Sequence, residues 1–211
     1  MLVIGAGGFA KEILEIVHQN NELDNLCFYD DVNIDAPQKL YNKFPVLKSI
    51  DEVEEYFKTV DNRFTIGIGN PFLRYKLFEK FSKVNGKLTS VISKFSEIGD
   101  YGVSIGDGCN ILGGVKISND VKIGKGTMIY YNSVITHDVE IGEFVEISPN
   151  VNVLGKAKIG NKTHIATGAI IFPDLKIGDN VIVGAGSIVT KNLPNNCTVI
   201  GSPAKIIKKG E

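Results

Sequence analysis

The chemistry open to this chain near neutral pH depends first on its three histidines, His18, His137 and His164. An imidazole titrates near neutrality, so it can remove a proton from an attacking amine or hydroxyl as a general base. A single surface histidine nevertheless has no catalytic role in most proteins, and the residue types alone leave both interpretations of His137 open. The position of His137 in the fold is therefore needed to choose between these two interpretations.

A second chemical signal is the glycine-rich run at 5–8, Gly-Ala-Gly-Gly, between an apolar segment and a helical pattern. Backbone N–H groups at such a turn, together with the start of a helix, can bind a phosphate. The run falls short of the full dinucleotide fingerprint, so a merely tight turn is the alternative. Other residues that end strands of this half should meet the turn at the carboxyl edge of one sheet. They are Asp30, Asp31, Gly69, Asn70 and Arg74.

The first half alternates between strands and helices. Ser49 and Glu52 have the spacing of a capping box ahead of a short helix, and Asn70 and Pro71 supply an N-cap and a first-turn proline for another. A further helical pattern follows the glycine-rich run. Apolar runs predict strands at 2–4, 27–29, 64–68 and 88–91. This alternation predicts an α/β domain over residues 1–91 with a small Rossmann-like parallel sheet.

The second half repeats with a period of six. Stepping by six from Ile105 to Val189 gives fifteen residues, and every one is isoleucine or valine. Five of these, eighteen residues apart from Ile105 to Ile177, are followed by glycine, so three hexads make one coil. β-Branched residues at every sixth position can stack from coil to coil, which predicts a parallel β-helix with three short faces over residues 92–211, ending in a C-terminal tail. The alternative, a β-sandwich, would need all fifteen matches by coincidence.

The hexad register slips once, near the start of the coil. Ile92 and Ile98 are six residues apart, but Ile105 follows Ile98 after seven. We expect the extra residue in a corner loop near Tyr101 and Gly102.

Composition excludes several classes of function. Twenty-three basic and 24 acidic residues give a formal charge of -1, which favours neither nucleic acid nor an anionic membrane as a partner. No apolar run approaches the roughly 20 residues that cross a bilayer, and the first residues do not have the pattern of a secretory signal. Three cysteines far apart are typical of reduced thiols. We therefore expect a cytoplasmic protein.

Several segments together resemble a known family. The hexads precede Gly-Ala-Gly-Ser at 184–187 and Gly-Ser-Pro-Ala-Lys at 201–205, as in the left-handed β-helix acyltransferases. Segments 5–12, 67–74 and 136–138 are similar to those of sugar acetyltransferases that include sialic acid O-acetyltransferase and the N-acetyltransferases of UDP-bacillosamine and GDP-perosamine biosynthesis. The resemblance covers essentially the whole chain. It implies a left-handed coil, a homotrimer and acetyl-CoA as co-substrate.

The resemblance also assigns catalytic roles. In the family, the residue matching His137 is the general base that deprotonates the sugar amine or hydroxyl, and Asp138 matches the acidic partner that orients the imidazole. Gly155 is eighteen residues after His137 and should therefore stack over it, one coil later. Its N–H is a candidate donor to the oxyanion that develops on the thioester carbonyl. A compatible alternative is that this glycine only makes a corner.

Ligand contacts follow from the same resemblance. Family contacts to acetyl-CoA, in a groove between neighbouring β-helices, match Glu146, Thr167 and Ala185, and Lys191 and Lys205 are candidates for the coenzyme phosphates. The positions implied for the nucleotide-linked sugar are Gly7, Gly8, Phe9, Asp30, Asp31, Gly69, Asn70, Arg74 and Tyr130. Three positions in these two sets depart from the family: Phe9 and Glu146 stand where histidine is frequent, and Tyr130 where bacillosamine-type enzymes have asparagine.

A metal site is not expected. β-Helix carbonic anhydrases hold zinc with three histidines from adjacent subunits, whereas this β-helix offers two, at different corners. The sequence thus predicts acetyl transfer to the amine of a nucleotide-activated amino sugar, in surface glycan biosynthesis. Two alternatives remain, namely O-acetylation of a sugar hydroxyl such as that of sialic acid, and a non-catalytic nucleotide-binding trimer.

Overall fold

The computed structural model describes residues 1–33 and 37–210. Its first part contains six strands and three helices, which are β1 (Leu2–Ile4), α1 (Gly8–Gln19), β2 (Cys27–Tyr29), β3 (Lys39–Leu40), β4 (Phe44–Leu47), α2 (Ile50–Thr59), β5 (Arg63–Ile66), α3 (Pro71–Ser82) and β6 (Lys87–Leu88). The strand order is β3-β4-β2-β1-β5-β6, and the pairing is parallel except in the β3–β4 hairpin. In the described ranges no helix is long and apolar enough to cross a membrane.

The helices begin where the sequence predicts. The Ser49 side chain accepts from the Glu52 N–H while the Glu52 carboxylate accepts from the Ser49 N–H, so the predicted capping box starts α2. The Asn70 side chain accepts from the Leu73 N–H and Pro71 occupies the first turn of α3. α1 covers one face of the sheet, and α2 and α3 cover the other.

Two features of this sheet differ from the prediction. The expected strand over 88–91 is two strands: β6 ends the sheet at Leu88, and Val91–Ile92 starts the β-helix. A hairpin of β3 and β4 extends the sheet beyond β2. Its turn needs a positive φ at both Tyr41 and Asn42, and a tyrosine at such a position gives little turn signal in a sequence.

The second part winds through three parallel sheets, which we call faces 1, 2 and 3. Face 1 consists of Val91–Ile92, Asn110–Ile111, Met128–Ile129, Glu146–Ile147, His164–Ile165, Ile182–Val183 and Cys197–Ile200, with the antiparallel Lys205–Lys209 added last. Face 2 consists of Glu97–Ile98, Lys116–Ile117, Val134–Ile135, Asn152–Val153, Ile170–Ile171 and Ile188–Val189. Face 3 consists of Ser104–Ile105, Lys122–Ile123, Glu140–Ile141, Lys158–Ile159 and Lys176–Ile177.

The stacked isoleucines and valines form the interior of the coil. Fourteen of the fifteen hexad residues are buried, and Ile105, in the first full coil, is partly buried. Each stacks on the residue eighteen positions away, as Ile129 does on Ile147. The predicted slip is present, because the strand at Glu97–Ile98 is followed seven residues later by Ser104–Ile105, with Tyr101 exposed in the loop between them.

The corners of the coil share one backbone conformation that hydrophobic periodicity does not reveal. Every sixth residue from Gly102 to Gly186 has φ between 51° and 73°, in the left-handed region. Nine of these fifteen residues are not glycine, and most are Asn or Asp, which tolerate this region best among the other amino acids. Asp138 is one of them, so the acidic residue beside His137 lies on a corner.

Candidate active site

His137 and Asp138 form a hydrogen-bonded pair at the corner between faces 2 and 3. The imidazole Nδ1 lies 2.7 Å from the Asp138 Oδ2, and both side chains are about half exposed. Neighbouring side chains in an extended strand point apart, but the φ of +59° at Asp138 turns its carboxylate back toward the preceding residue. An ionised carboxylate only accepts hydrogen bonds, so in a neutral imidazole held by Asp138 the proton is on Nδ1 and the lone pair is on Nε2.

Gly155 lies over this imidazole, one coil further along. A Cβ built on Gly155 would be 2.7 Å from the His137 Cε1 and 2.8 Å from Nε2, closer than any side chain fits. Within the described part of the chain, the Gly155 N–H donates to no other group. Gly155 thus leaves room for the ring and presents a backbone donor beside the atom that can act as the base.

A cleft of about 390 Å³ opens at the carboxyl edge of the N-terminal sheet, where three strands end. It brings together the predicted residues Gly7, Phe9, Asp30, Asp31 and Gly69. Gly8 begins α1 directly behind the cleft, so its N–H and those that follow lie at the helix start. Ile68, Leu73 and Leu77 add apolar lining. The volume is that of a site for a small organic ligand.

The two aspartates at the end of β2 have different partners. Asp30 accepts from the Val32 and Asn33 N–H groups and from the Asn33 amide, whereas Asp31 accepts from the Tyr29 hydroxyl and pairs with Lys80 at 3.0 Å. Burial alone would raise the pKa of each carboxyl, but these hydrogen bonds outweigh it and lower both pKa values. Asp30 therefore organises the loop, and Asp31 is the more exposed of the two toward the cleft.

Arg74 lies elsewhere than predicted. Its side chain is fully buried behind the cleft wall and donates to the backbone oxygens of Ile66, Ile68 and Gly126 and to the Asn110 amide oxygen. A residue without exposed surface cannot touch a ligand, so the predicted substrate contact at Arg74 is wrong. Asn70 likewise uses its side chain to cap α3.

The aromatic residues Phe9 and Tyr130, both expected to differ from the family, are in contact with each other. Their ring centroids are 5.2 Å apart, and the Tyr130 hydroxyl donates to the Glu12 carboxylate. Burial and the neighbouring carboxylate raise the pKa of Tyr130 well above its usual range. Face 1 and α1 thus meet at this pair. The Glu12 contact was missed by sequence reasoning, because helical spacing says nothing about the face that α1 presents to the coil.

Glu146 lies on face 1 next to the cleft wall. A Cβ built on Gly69 would be 3.6 Å from the Glu146 Oε1, and the same oxygen is 3.5 Å from the His164 Nε2. His164 also lies 3.1 Å from the Ser148 hydroxyl. Glu146 therefore lies on the side of the molecule that carries the cleft, whereas the remaining predicted coenzyme contacts lie elsewhere.

Those remaining contacts are exposed, and three of the four lie at two corners. Thr167 and Ala185 occupy the corner between faces 1 and 2, one coil apart. Lys191 follows face 2, at the same corner as His137 and three coils further on, and Lys205 begins the last strand. Within one chain the two corners are on opposite edges of face 2.

Comparisons with known proteins agree with this architecture. Residues 1–81 match the family model of the PglD N-terminal domain, and residues 102–137 match that of the bacterial transferase hexapeptide repeats. The structure is similar to perosamine N-acetyltransferase from Caulobacter crescentus, solved with CoA and GDP-perosamine, with a TM-score of 0.89 and 28% identity over 100% of this chain and 96% of that one. No curated protein sequence matches the chain.

A second similar structure is the acetyltransferase domain of PglB from Neisseria gonorrhoeae, solved with acetyl coenzyme A, with a TM-score of 0.86 and 26% identity over 98% of both chains. The fold, the paired site and these matches define the class: the chain is an acyltransferase with an α/β N-terminal domain and a left-handed β-helix. Within that class it is similar to acetyltransferases, because a PglD-type domain matches ahead of the hexapeptide repeats and both similar structures are acetyltransferases.

Proposed function

We propose that this protein transfers the acetyl group of acetyl-CoA to the amine of a nucleotide-activated amino sugar. The observation that carries the proposal is the His137–Asp138 pair beneath Gly155, in a chain whose N-terminal domain has a cleft of ligand size. The similar structures bind GDP-perosamine with CoA in one case and acetyl coenzyme A in the other, which supports both substrates.

The residues perform three tasks in this reaction. Gly7 and the start of α1 bind the diphosphate, and the end of β2 binds the nucleoside. The His137 Nε2 accepts a proton from the amine as its nitrogen attacks the thioester carbonyl, and Asp138 stabilises the resulting imidazolium. The Gly155 N–H donates to the carbonyl oxygen as it becomes an oxyanion. The C–N bond is then complete, the C–S bond breaks, and the leaving CoA thiolate takes up the proton held by the His137 imidazolium, which restores the neutral base.

We infer that the complete site lies between subunits of a homotrimer. The nucleotide cleft adjoins face 1, whereas His137 lies at the corner between faces 2 and 3. The two are therefore on different sides of one coil. The outward side chains of face 3 are mainly charged. Those of face 2 from Val134 onward are mainly apolar, as expected of a surface that another copy covers. The apolar set is Val134, Leu154, Ile170, Phe172 and Ile188. We further propose action in the cytoplasm, where nucleotide sugars are made.

The test is acceptor-dependent release of CoA thiol from acetyl-CoA. A panel of UDP-, GDP- and dTDP-linked amino sugars is expected to contain a substrate, with the product identified as an amide by mass spectrometry. Preference for free sialic acid over all of these would support O-acetylation instead. His137→Ala should reduce the rate by roughly 10²-fold or more while acetyl-CoA binding persists. An unchanged rate in this variant would contradict the mechanism.

A further inference from the structure

We infer that Arg74 is a positioning residue that fixes the nucleotide cleft on the β-helix, and that it thereby sets where a nucleotide-linked acceptor is presented. The inference rests on the proposed function and goes beyond it. It begins from a geometric observation: the guanidinium has five N–H groups and makes five hydrogen bonds, all to neutral oxygens.

The five bonds join two parts of the molecule. Nη1 donates to the carbonyls of Ile66 and Ile68 at 2.8 and 2.9 Å, on either side of Gly67. Nε and Nη2 both donate to the Gly126 carbonyl, at 3.0 and 2.9 Å. Nη2 also donates to the Asn110 Oδ1 at 2.8 Å. One planar group therefore spans from the loop after β5 to the coil.

A second link runs parallel to the first. The Asn110 amide nitrogen donates to the Thr65 hydroxyl at 2.8 Å, so the outward side chain of a face 1 strand binds both Arg74 and β5. Asn110 and Thr65 are themselves fully buried. Arg74 and Asn110 together form a polar clamp, which we define as these two residues with Thr65.

The clamp acts on functional segments at both ends. On one side, Gly67, Ile68 and Gly69 form a wall of the nucleotide cleft. On the other, Gly126 lies at the corner that leads into Met128–Ile129 and then to Tyr130. The distance from the cleft to the coil is thus set by the guanidinium, whose rigid fork lysine cannot reproduce.

Docking of the two parts does not depend on the clamp alone. Tyr75 and Phe78 of α3 pack on Phe144, with ring centroids 5.3 and 5.5 Å from that of Phe144. The Lys162 Nζ lies 3.9 Å from the centroid of the Tyr75 ring. These apolar contacts are expected to hold α3 on the coil when the clamp is weakened. Burial lowers the pKa of Arg74 to about 10, so the residue remains charged at neutral pH.

The test compares two acceptors in Arg74→Lys, namely the nucleotide-linked amino sugar and the same amino sugar without its nucleotide. We expect kcat/KM for the nucleotide-linked acceptor to fall by about 10²-fold, because a displaced acceptor reacts poorly. The KM for acetyl-CoA and turnover of the free amino sugar should stay at wild-type values. Asn110→Ala should change kinetics in the same direction by a smaller factor.

Asn20→Ala is the matched control, since the Asn20 amide donates to the Ile92 carbonyl in another hydrogen bond between the two parts, away from the cleft. It should leave the kinetics unchanged. Equal losses with both acceptors, or wild-type kinetics in Arg74→Lys, would overturn the inference; if that variant does not fold, Asn110→Ala decides by the same comparison. Calorimetric titration with UDP and GDP separates the two proposals: the clamp predicts weaker nucleotide binding in Arg74→Lys even if no amino sugar is acetylated by the wild type.

Discussion

The imidazole of His137 occupies the space that a side chain at residue 155 would fill. The two residues are eighteen positions apart and stack across adjacent coils, and the His137 backbone carbonyl accepts from the Lys156 N–H at 3.0 Å. The proposed base and the proposed backbone donor are therefore held by the same repeat that builds the fold. Their separation is fixed by the rise of one coil, about 4.8 Å between parallel strands.

Gly155→Ala should displace this imidazole without unfolding the coil. The added Cβ would lie 2.7 Å from the ring, and the ring is the part that can move, because the His137 side chain is exposed to solvent. We expect kcat to fall by about 10²-fold, with little change in thermal stability. The matched control is Gly113→Ala, where a Cβ would meet its nearest neighbour at an ordinary 3.6 Å. Equal activity in the two variants would contradict the role given to Gly155.

Asp138→Asn tests the orientation of the base. Asparagine occupies the same left-handed corner position at Asn132 and Asn150, so the backbone should be retained. An amide that donates to Nδ1 would move the imidazole proton to Nε2 and remove the lone pair that accepts the proton of the amine. We expect kcat to fall at least about 10-fold with the KM for acetyl-CoA unchanged. Asp120→Asn, at the same corner one coil earlier, should behave as the wild type.

The hexads predict the fold of the second half because each one places a β-branched residue where it can stack inside the coil. No comparable repetition marks the contacts between side chains of different elements. The sequence therefore predicts the corner position of His137, but not that the left-handed backbone of Asp138 turns the carboxylate back onto it. Similarly, Arg74 follows a glycine-rich strand end as a ligand-binding arginine would, and only the packing of α3 on the coil reveals its burial.

The hydrogen bonds of Asp30 predict that the free energy of unfolding depends on pH in the acid range. Because its pKa is lowered in the folded protein, the stability that Asp30 contributes is present above the unfolded pKa of 3.8 and is lost as pH falls through the lower folded pKa. Thermal unfolding followed from about pH 5 down to pH 2.5 should show this loss, and Asp30→Asn should flatten the curve in that window. Asp24→Asn, at an exposed position, serves as control. A parallel loss in the wild type and Asp30→Asn would count against the contribution of Asp30.

The placement of the cleft and His137 on different sides of the coil predicts complementation between two inactive variants. Gly7→Glu puts a carboxylate at the helix start, where a Cβ meets nothing within 4 Å, so it should repel a phosphate without straining the fold. His137→Ala removes the base but leaves the cleft. If each site combines the cleft of one subunit with His137 of the next, randomly mixed trimers should regain about a quarter of wild-type activity, since both halves of a site must be intact. Mixed trimers identified by native mass spectrometry that remain inactive would locate the whole site within one chain.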